Sequence, residues 1–219
     1  MPDIRILCLE TSSQICSVAI YNNGPITEVK SDKIQNHAEV LMGMINQCCQ
    51  EAGIKLSEMN ALAISDGPGS YTGLRIGSST AKGICFALNI PLIAVSTLKA
   101  LAWDAARKQA ADIYWPMIDA RRMEVYHCLF DKELKMLGTV ANGIVTEPEF
   151  IPGLISGQTV LICGDGAKKT EGILGFPIYN QFPEAGFLTE LALESYNKKE
   201  FVNLSTYEPF YLKGANITR

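Results

Sequence analysis

The chain has 219 residues, enough for one large domain or two small ones with a sizeable core. Its 47% apolar and 19% charged content is that of a folded globule, and a net charge of −4 gives no general electrostatic grip on nucleic acid. No apolar stretch approaches membrane-spanning length, Ile4–Leu9 is broken by Arg5 unlike a signal peptide, and seven cysteines with no Cys-x-x-Cys pair read as reduced core thiols of a cytoplasmic protein.

In chain order, Arg5–Leu9 reads as a buried strand and Glu10–Ser13 as a polar turn. Ile15–Tyr21 returns as a second strand, Asn22-Asn23-Gly24 makes a favoured hairpin turn, and Ile26–Val29 is a third. A helix over about Ala38–Ala52 carries Val40, Leu41, Met44, Ile45 and Cys48 on one stripe and stops at Gly53. The short apolar run Ala61–Ile64 predicts a strand, followed by Ser65–Gly77, in which glycines and Pro68 force a tight turn. Ser70 or Thr72 can cap the helix that continues to Leu88. Strand, glycine turn and helix N-terminus suit either an anion site or a plain tight connection. Pro91–Val95 is a further strand, and Ser96-Thr97 open a helix to about Ala111.

After Asp112 the pattern starts again. Strands are expected at Ile113–Asp119, Met123–Asp131 and Met136–Val140, then a short helix after Glu147, the strand Thr159–Cys163 and the turn Gly164-Asp165-Gly166. Helices at about Lys168–Leu174 and Glu184–Tyr196 follow. Three antiparallel strands, then helix, strand, helix, strand, helix is the order of a ribonuclease-H-like half. Its repetition predicts an α/β fold of two tandem ribonuclease-H-like subdomains, residues 1–110 and 111–219, of the actin, sugar-kinase and Hsp70 (ASKHA) group. That group holds phosphates on polar turns. Here Glu10, Thr11 and Ser12 form a candidate loop without glycine, and Gly164, Asp165 and Gly166 form a better-shaped one. No carboxylate pair sits convincingly for Mg²⁺ and a general base.

Leu9–Ser12, Asn36–Glu39, Gly67–Gly77, Lys82-Gly83, Pro91–Leu98, Ile118–Arg122 and Pro209–Leu212 together resemble the bacterial TsaB (YeaZ) family, densely over residues 4–127 and thinly beyond. The resemblance implies a non-catalytic scaffold or activator of a TsaD-like transferase in the N6-threonylcarbamoyladenosine modification of tRNA. It also implies a TsaE-like ATPase as a further partner, tRNA met only through the complex, and a homodimer when the chain is alone. No cofactor is expected. TsaD-like proteins hold metal through His-x-x-x-His, whereas the position four after His37 is Leu41, which cannot bind a metal.

Gly73, Gly77 and Ala81 recur on one face of the second long helix, beside Tyr71 and Leu74. Both long helices can pack only on their own sheet. Alternatively, with His37 and the Val40–Cys48 stripe, they present one face to a second copy or to TsaD, and the resemblance favours this. The other class of function is a stand-alone ASKHA-type enzyme, a small kinase or ATPase or a glycoprotease-like peptidase, which would turn over without a partner. Gly69–Gly73 is not the Gly-x-Ser-x-Gly of a serine hydrolase.

Overall fold

The computed structural model describes residues 3–31, 36–147, 150–151 and 155–213. Strands β1 (Arg5–Glu10), β2 (Ser17–Asn22), β3 (Ile26–Lys30), β4 (Ala61–Gly67) and β5 (Leu92–Ser96) form one mixed sheet in the order β3-β2-β1-β4-β5. β1, β4 and β5 run parallel, and β2 and β3 return antiparallel. Side chains alternate between the faces of a strand. The register sets Leu7 opposite Ile20 and Leu9 opposite Val18, and these join Leu62 and Ile64 in one apolar cluster. Helices α1 (His37–Ala52) and α2 (Tyr71–Leu88) close over it with Leu41, Ile45, Cys48 and Ala81.

Cys8, Ala19 and Glu28 stand on the opposite face, covered by α4 (Ala185–Lys198). The sheet fixes the start of that helix. Ala185 N donates to Ser17 Oγ at 2.7 Å and Gly186 N donates to Glu28 Oε1 at 2.9 Å. A carboxylate there meets the positive end of the helix dipole.

The second sheet holds β6 (Ile113–Asp119), β7 (Glu124–Asp131), β8 (Met136–Ile144), β9 (Val160–Cys163) and β10 (Ile178–Tyr179) in the order β8-β7-β6-β9-β10. Both sheets thus run third, second, first, fourth, fifth, the expected pair of ribonuclease-H-like halves in an α/β fold of the ASKHA group. Trp115, Met117, Val125, Leu129 and Ile162 share a core with Phe150, which stacks on Trp115 at 5.1 Å. Trp115 Nε1 donates to His127 Nδ1 at 3.0 Å, and burial pushes the His127 pKa down to about 4. The edge strand β10 was not legible as a strand. The helix expected over Lys168–Leu174 shrinks to a 3-10 turn at Ala167–Thr170. The short helix expected after Glu147 falls largely on residues 148–149 and 152–154, outside the described ones.

The compact units are Met1–Ser96 with Glu184–Phe210, and Thr97–Pro183 with Tyr211–Arg219. This differs from the expected division at residue 110. Helix α3 (Thr97–Lys108) packs on β6, β7 and β9, whereas α4 packs on the first sheet. Each apolar helix stripe covers a sheet, but not the one that its place in the sequence suggests.

Candidate functional site

Strand β4 ends at Gly67, whose φ of +107° takes it into a region that disfavours any side chain. A Cβ there would also lie 2.6 Å from the Phe210 carbonyl oxygen. The Gly67–Pro68 peptide is cis. Ser70, rather than Thr72, caps α2, its hydroxyl accepting from Gly73 N at 3.3 Å. Ser70 N donates to the Ser12 carbonyl at 2.6 Å, so the glycine turn docks on the β1–β2 loop.

That loop, the first phosphate-loop candidate, is buried within its own unit, and the Ser12 hydroxyl makes no hydrogen bond of ordinary geometry among the described residues. Glu10, Thr11 and Ser12 are at most 2% exposed. Glu10 Oε1 accepts from Ser12 N at 2.6 Å and from Ser65 Oγ at 2.9 Å. Glu10 Oε2 makes no hydrogen bond of ordinary geometry among the described residues, and burial raises this carboxyl above the usual carboxylate range. His37 Nε2 lies 3.0 Å from the Ser13 carbonyl oxygen and donates to it, and burial lowers its pKa, keeping the ring neutral. Among the described residues no group of three or more His, Cys, Asp or Glu side chains could hold a metal ion.

The glycine row of α2 faces inward. A Cβ at Gly73 would lie 2.0 Å from the Thr11 carbonyl oxygen, and one at Gly77 would lie 2.3 Å from Thr11 Oγ1. Leu74 and Ala81 are buried beside them, and His37, Leu41, Met44, Ile45 and Cys48 are buried on α1. These residues were expected to meet a partner; instead they close their own core, because small residues bring α2 down onto the loop. Val40 and Tyr71 are half-buried. What α1 and α2 turn outward is different: Met42 at 47% exposure, Phe86 at 84%, and a shallow groove between Ala38 and the Tyr71–Arg75–Ser79 side of α2. Arg75 donates to the Tyr71 hydroxyl at 3.2 Å, its guanidinium lying 5.4 Å from that ring's centre. The hydrophobic pattern did not single out Met42 or Phe86, since each adjoins other apolar residues, Met42 after Val40-Leu41 and Phe86 within Ile84–Leu88.

In the second unit, Gly164-Asp165-Gly166 follows the fourth strand. By sheet order it is the counterpart of the glycine turn, not of the Glu10–Ser12 loop. It docks likewise on the first strand of its sheet, Gly166 N donating to the Met117 carbonyl at 3.0 Å. The counterpart of Glu10–Ser12 is the β6–β7 hairpin. There Asp119 Oδ1 accepts from Arg121 N at 2.6 Å and from Lys169 Nζ at 2.8 Å, and Asp119 N donates to Asp165 Oδ1 at 3.1 Å. Asp165 therefore braces this hairpin.

A family model described as TsaD, tRNA N6-adenosine threonylcarbamoyltransferase, matches residues 22–153. The tRNA threonylcarbamoyladenosine biosynthesis protein TsaB of Haemophilus influenzae is 30% identical, over 97% of this chain and 95% of that relative. TsaB of Escherichia coli is 28% identical, over 96% and 95%. The solved structure of YeaZ from Pseudomonas aeruginosa superposes with a TM-score of 0.84 at 32% identity, covering 95% of this chain and all of that one. With so much of both chains matched and the two-sheet architecture in common, the chain belongs to the TsaB (YeaZ) family of TsaD-like proteins.

Proposed function

We propose that this chain serves N6-threonylcarbamoyladenosine modification of tRNA in the cytoplasm as a non-catalytic partner of a TsaD-type transferase, with a TsaE-type ATPase as the further component. Relatives over nearly the whole chain carry the name of that pathway. The observation that carries the non-catalytic part is the Glu10–Ser13 loop. A phosphate-handling turn must offer free amides or hydroxyls to its ligand. Here the Ser12 amide goes to Glu10, and the Thr11 and Ser12 side chains are buried, Ser12 at 1% exposure, so the loop presents no hydroxyl to solvent where a phosphate could meet it.

Docking uses the outward side of α1 and α2, where Met42 and Phe86 supply apolar contacts and Arg75, about three turns before Phe86 on α2, supplies a charged one. An aromatic group exposed on a helix flank is the kind of residue that carries binding energy once a partner covers it. The same face pairs two copies of the chain when the transferase is absent, so the two associations compete. A partner that binds one conformation of the transferase better than another shifts it toward that state without supplying a reacting group.

The test is capture of the TsaD-type protein of the same source, followed by threonylcarbamoyl transfer to tRNA with and without this chain. Capture together with transfer that depends on the chain supports the reading. ATP turnover by the isolated chain, or full transfer in its absence, overturns it in favour of a stand-alone enzyme.

A further inference from the structure

We propose that the tip of the β6–β7 hairpin binds phosphate groups of an RNA backbone through Arg121 and Arg122, a reading that rests on the tRNA function above. Arg121 has φ +70° and Arg122 has φ +49°, two successive left-handed residues. Hairpin tips of this kind favour Asn and Gly, which reach positive φ at little cost. Strained backbone persists where its surroundings over-determine it. Here Asp119 Oδ1 accepts from Arg121 N, Lys169 Nζ bridges Asp119 Oδ1 and the Glu124 carbonyl at 2.8 Å each, and Glu124 N donates to the Arg121 carbonyl at 3.1 Å. The turn is held in place while its side chains are left outside.

The charges point the same way. Lys169 is matched by Asp119 and Lys213 by Glu124. Arg121 and Arg122 are exposed and take part in no ion pair among the described residues. With the Asp165 carboxylate on Asp119 N counted, Arg121, Arg122, Lys169 and Lys213 stand against Asp119, Glu124 and Asp165, an excess of one positive charge that is carried at the exposed tip, on a chain whose net charge is −4. Guanidinium groups bind phosphate oxygens in a bidentate fork, and adjacent arginines on a turn can meet successive phosphates. Arg121, Arg122 and Met123 all face solvent, an exposed tip of the kind a polymer can pass over rather than a cleft that encloses a small ligand. The tRNA would then be touched by this chain directly, beyond the expectation that it is met only through the complex.

The test replaces both residues, Arg121→Asn with Arg122→Gly, which keeps the turn in its favoured sequence. Anisotropy of a labelled, unmodified tRNA transcript is measured with the full-length chain and with the variant over a salt series, with inorganic triphosphate as competitor. The variant is expected to melt no lower than the parent and to bind about tenfold or more weakly at low salt, its salt slope reduced by about 2. Equal affinity of parent and variant, no binding of tRNA by the parent, or triphosphate binding in place of tRNA binding overturns the proposal. So does loss of binding to an acidic protein while tRNA binding is retained. A transfer assay run in parallel separates the two readings. If transfer needs the chain and the variant binds tRNA like the parent, the hairpin assignment alone fails. If transfer ignores the chain while the variant loses tRNA, the function fails and the hairpin assignment stands.

Discussion

One substitution made twice on the same helix measures how closely α2 lies on the Glu10–Ser13 loop. Gly73→Ala places a methyl group 2.0 Å from the Thr11 carbonyl oxygen, where real Cβ atoms need 3.0 Å at the least. Helix and loop must part by about 1 Å against a backbone atom, and overpacking of this sort costs about 1–3 kcal/mol. A clash this deep against a backbone atom takes the upper part of that range, about 2–3 kcal/mol, and alanine's better helix propensity returns about 1 kcal/mol, leaving a net loss of about 1–2 kcal/mol. At roughly 2–4 °C per kcal/mol for a chain of this size, the melting temperature falls by about 2–8 °C. Gly83→Ala on the same helix meets nothing within 4 Å. It collects only the propensity gain of about 0.5–1 kcal/mol and should melt about 1–4 °C higher. Thermal denaturation followed at 222 nm compares both with the parent. A Gly73→Ala variant as stable as the parent would show that α2 does not rest on Thr11.

On the outward face, Phe86→Ser combined with Met42→Ser should weaken capture of the transferase and self-association about tenfold or more, with circular dichroism near that of the parent; unchanged association would mean that pairing uses another surface. Burial holds the His127 pKa down to about 4 against the ordinary 6.5, so as pH falls the unfolded chain binds its proton first. Its contribution is complete above pH 6.5 and drains away as pH falls toward 4, a loss of at most about 3 kcal/mol. His127→Gln keeps an acceptor for Trp115 and should flatten that stretch of a pH–stability profile. Glu10 has its pKa raised by burial, so the stability it allows is fully present below pH 4.5 and is lost as pH rises through the folded value. Glu10→Gln should raise the melting temperature at pH 8 and leave it nearly unchanged at pH 4; the same shift at both pH values would count against a buried ionised carboxyl.

The strands of the first unit were legible because each is a short apolar run between turn residues, and the start of α2 because Gly67-Pro68-Gly69-Ser70 permits little else. The orientation of α2 was not. A row of small residues announces a close approach, yet the same signal serves a loop of one's own chain or the helix of another. Gly73 and Gly77 against Thr11 are the first case. Phe86 stayed unremarked for another reason: it belongs to the continuous apolar run Ile84–Leu88, and a run has no periodicity to tell its exposed member from its buried ones. The hairpin tip lies within the motif Ile118–Arg122, but nothing in those five residues tells that Arg121 and Arg122 take left-handed backbone, since their types argue against it. Which sheet α3 and α4 would cover was also beyond the pattern, because amphipathicity fixes a face and not its counterpart.

The exchange of those two helices bears on how the protein can be made. The first sheet is complete in order at Ser96, but the side carrying Cys8, Ala19 and Glu28 waits for α4. The strap after α4 arrives later still: Val202 bridges to Leu92, Phe210 N donates to the Asp66 carbonyl at 2.8 Å, and the Tyr207 hydroxyl donates to Asp66 at 2.7 Å. At a synthesis rate of about 5–20 residues per second, a nascent N-terminal half spends several seconds with one side of its sheet bare. A gene cut after residue 110 should therefore yield an aggregating fragment. Supplying residues 111–219 as a separate polypeptide during expression should rescue it, by delivering α4 and the strap as a missing layer.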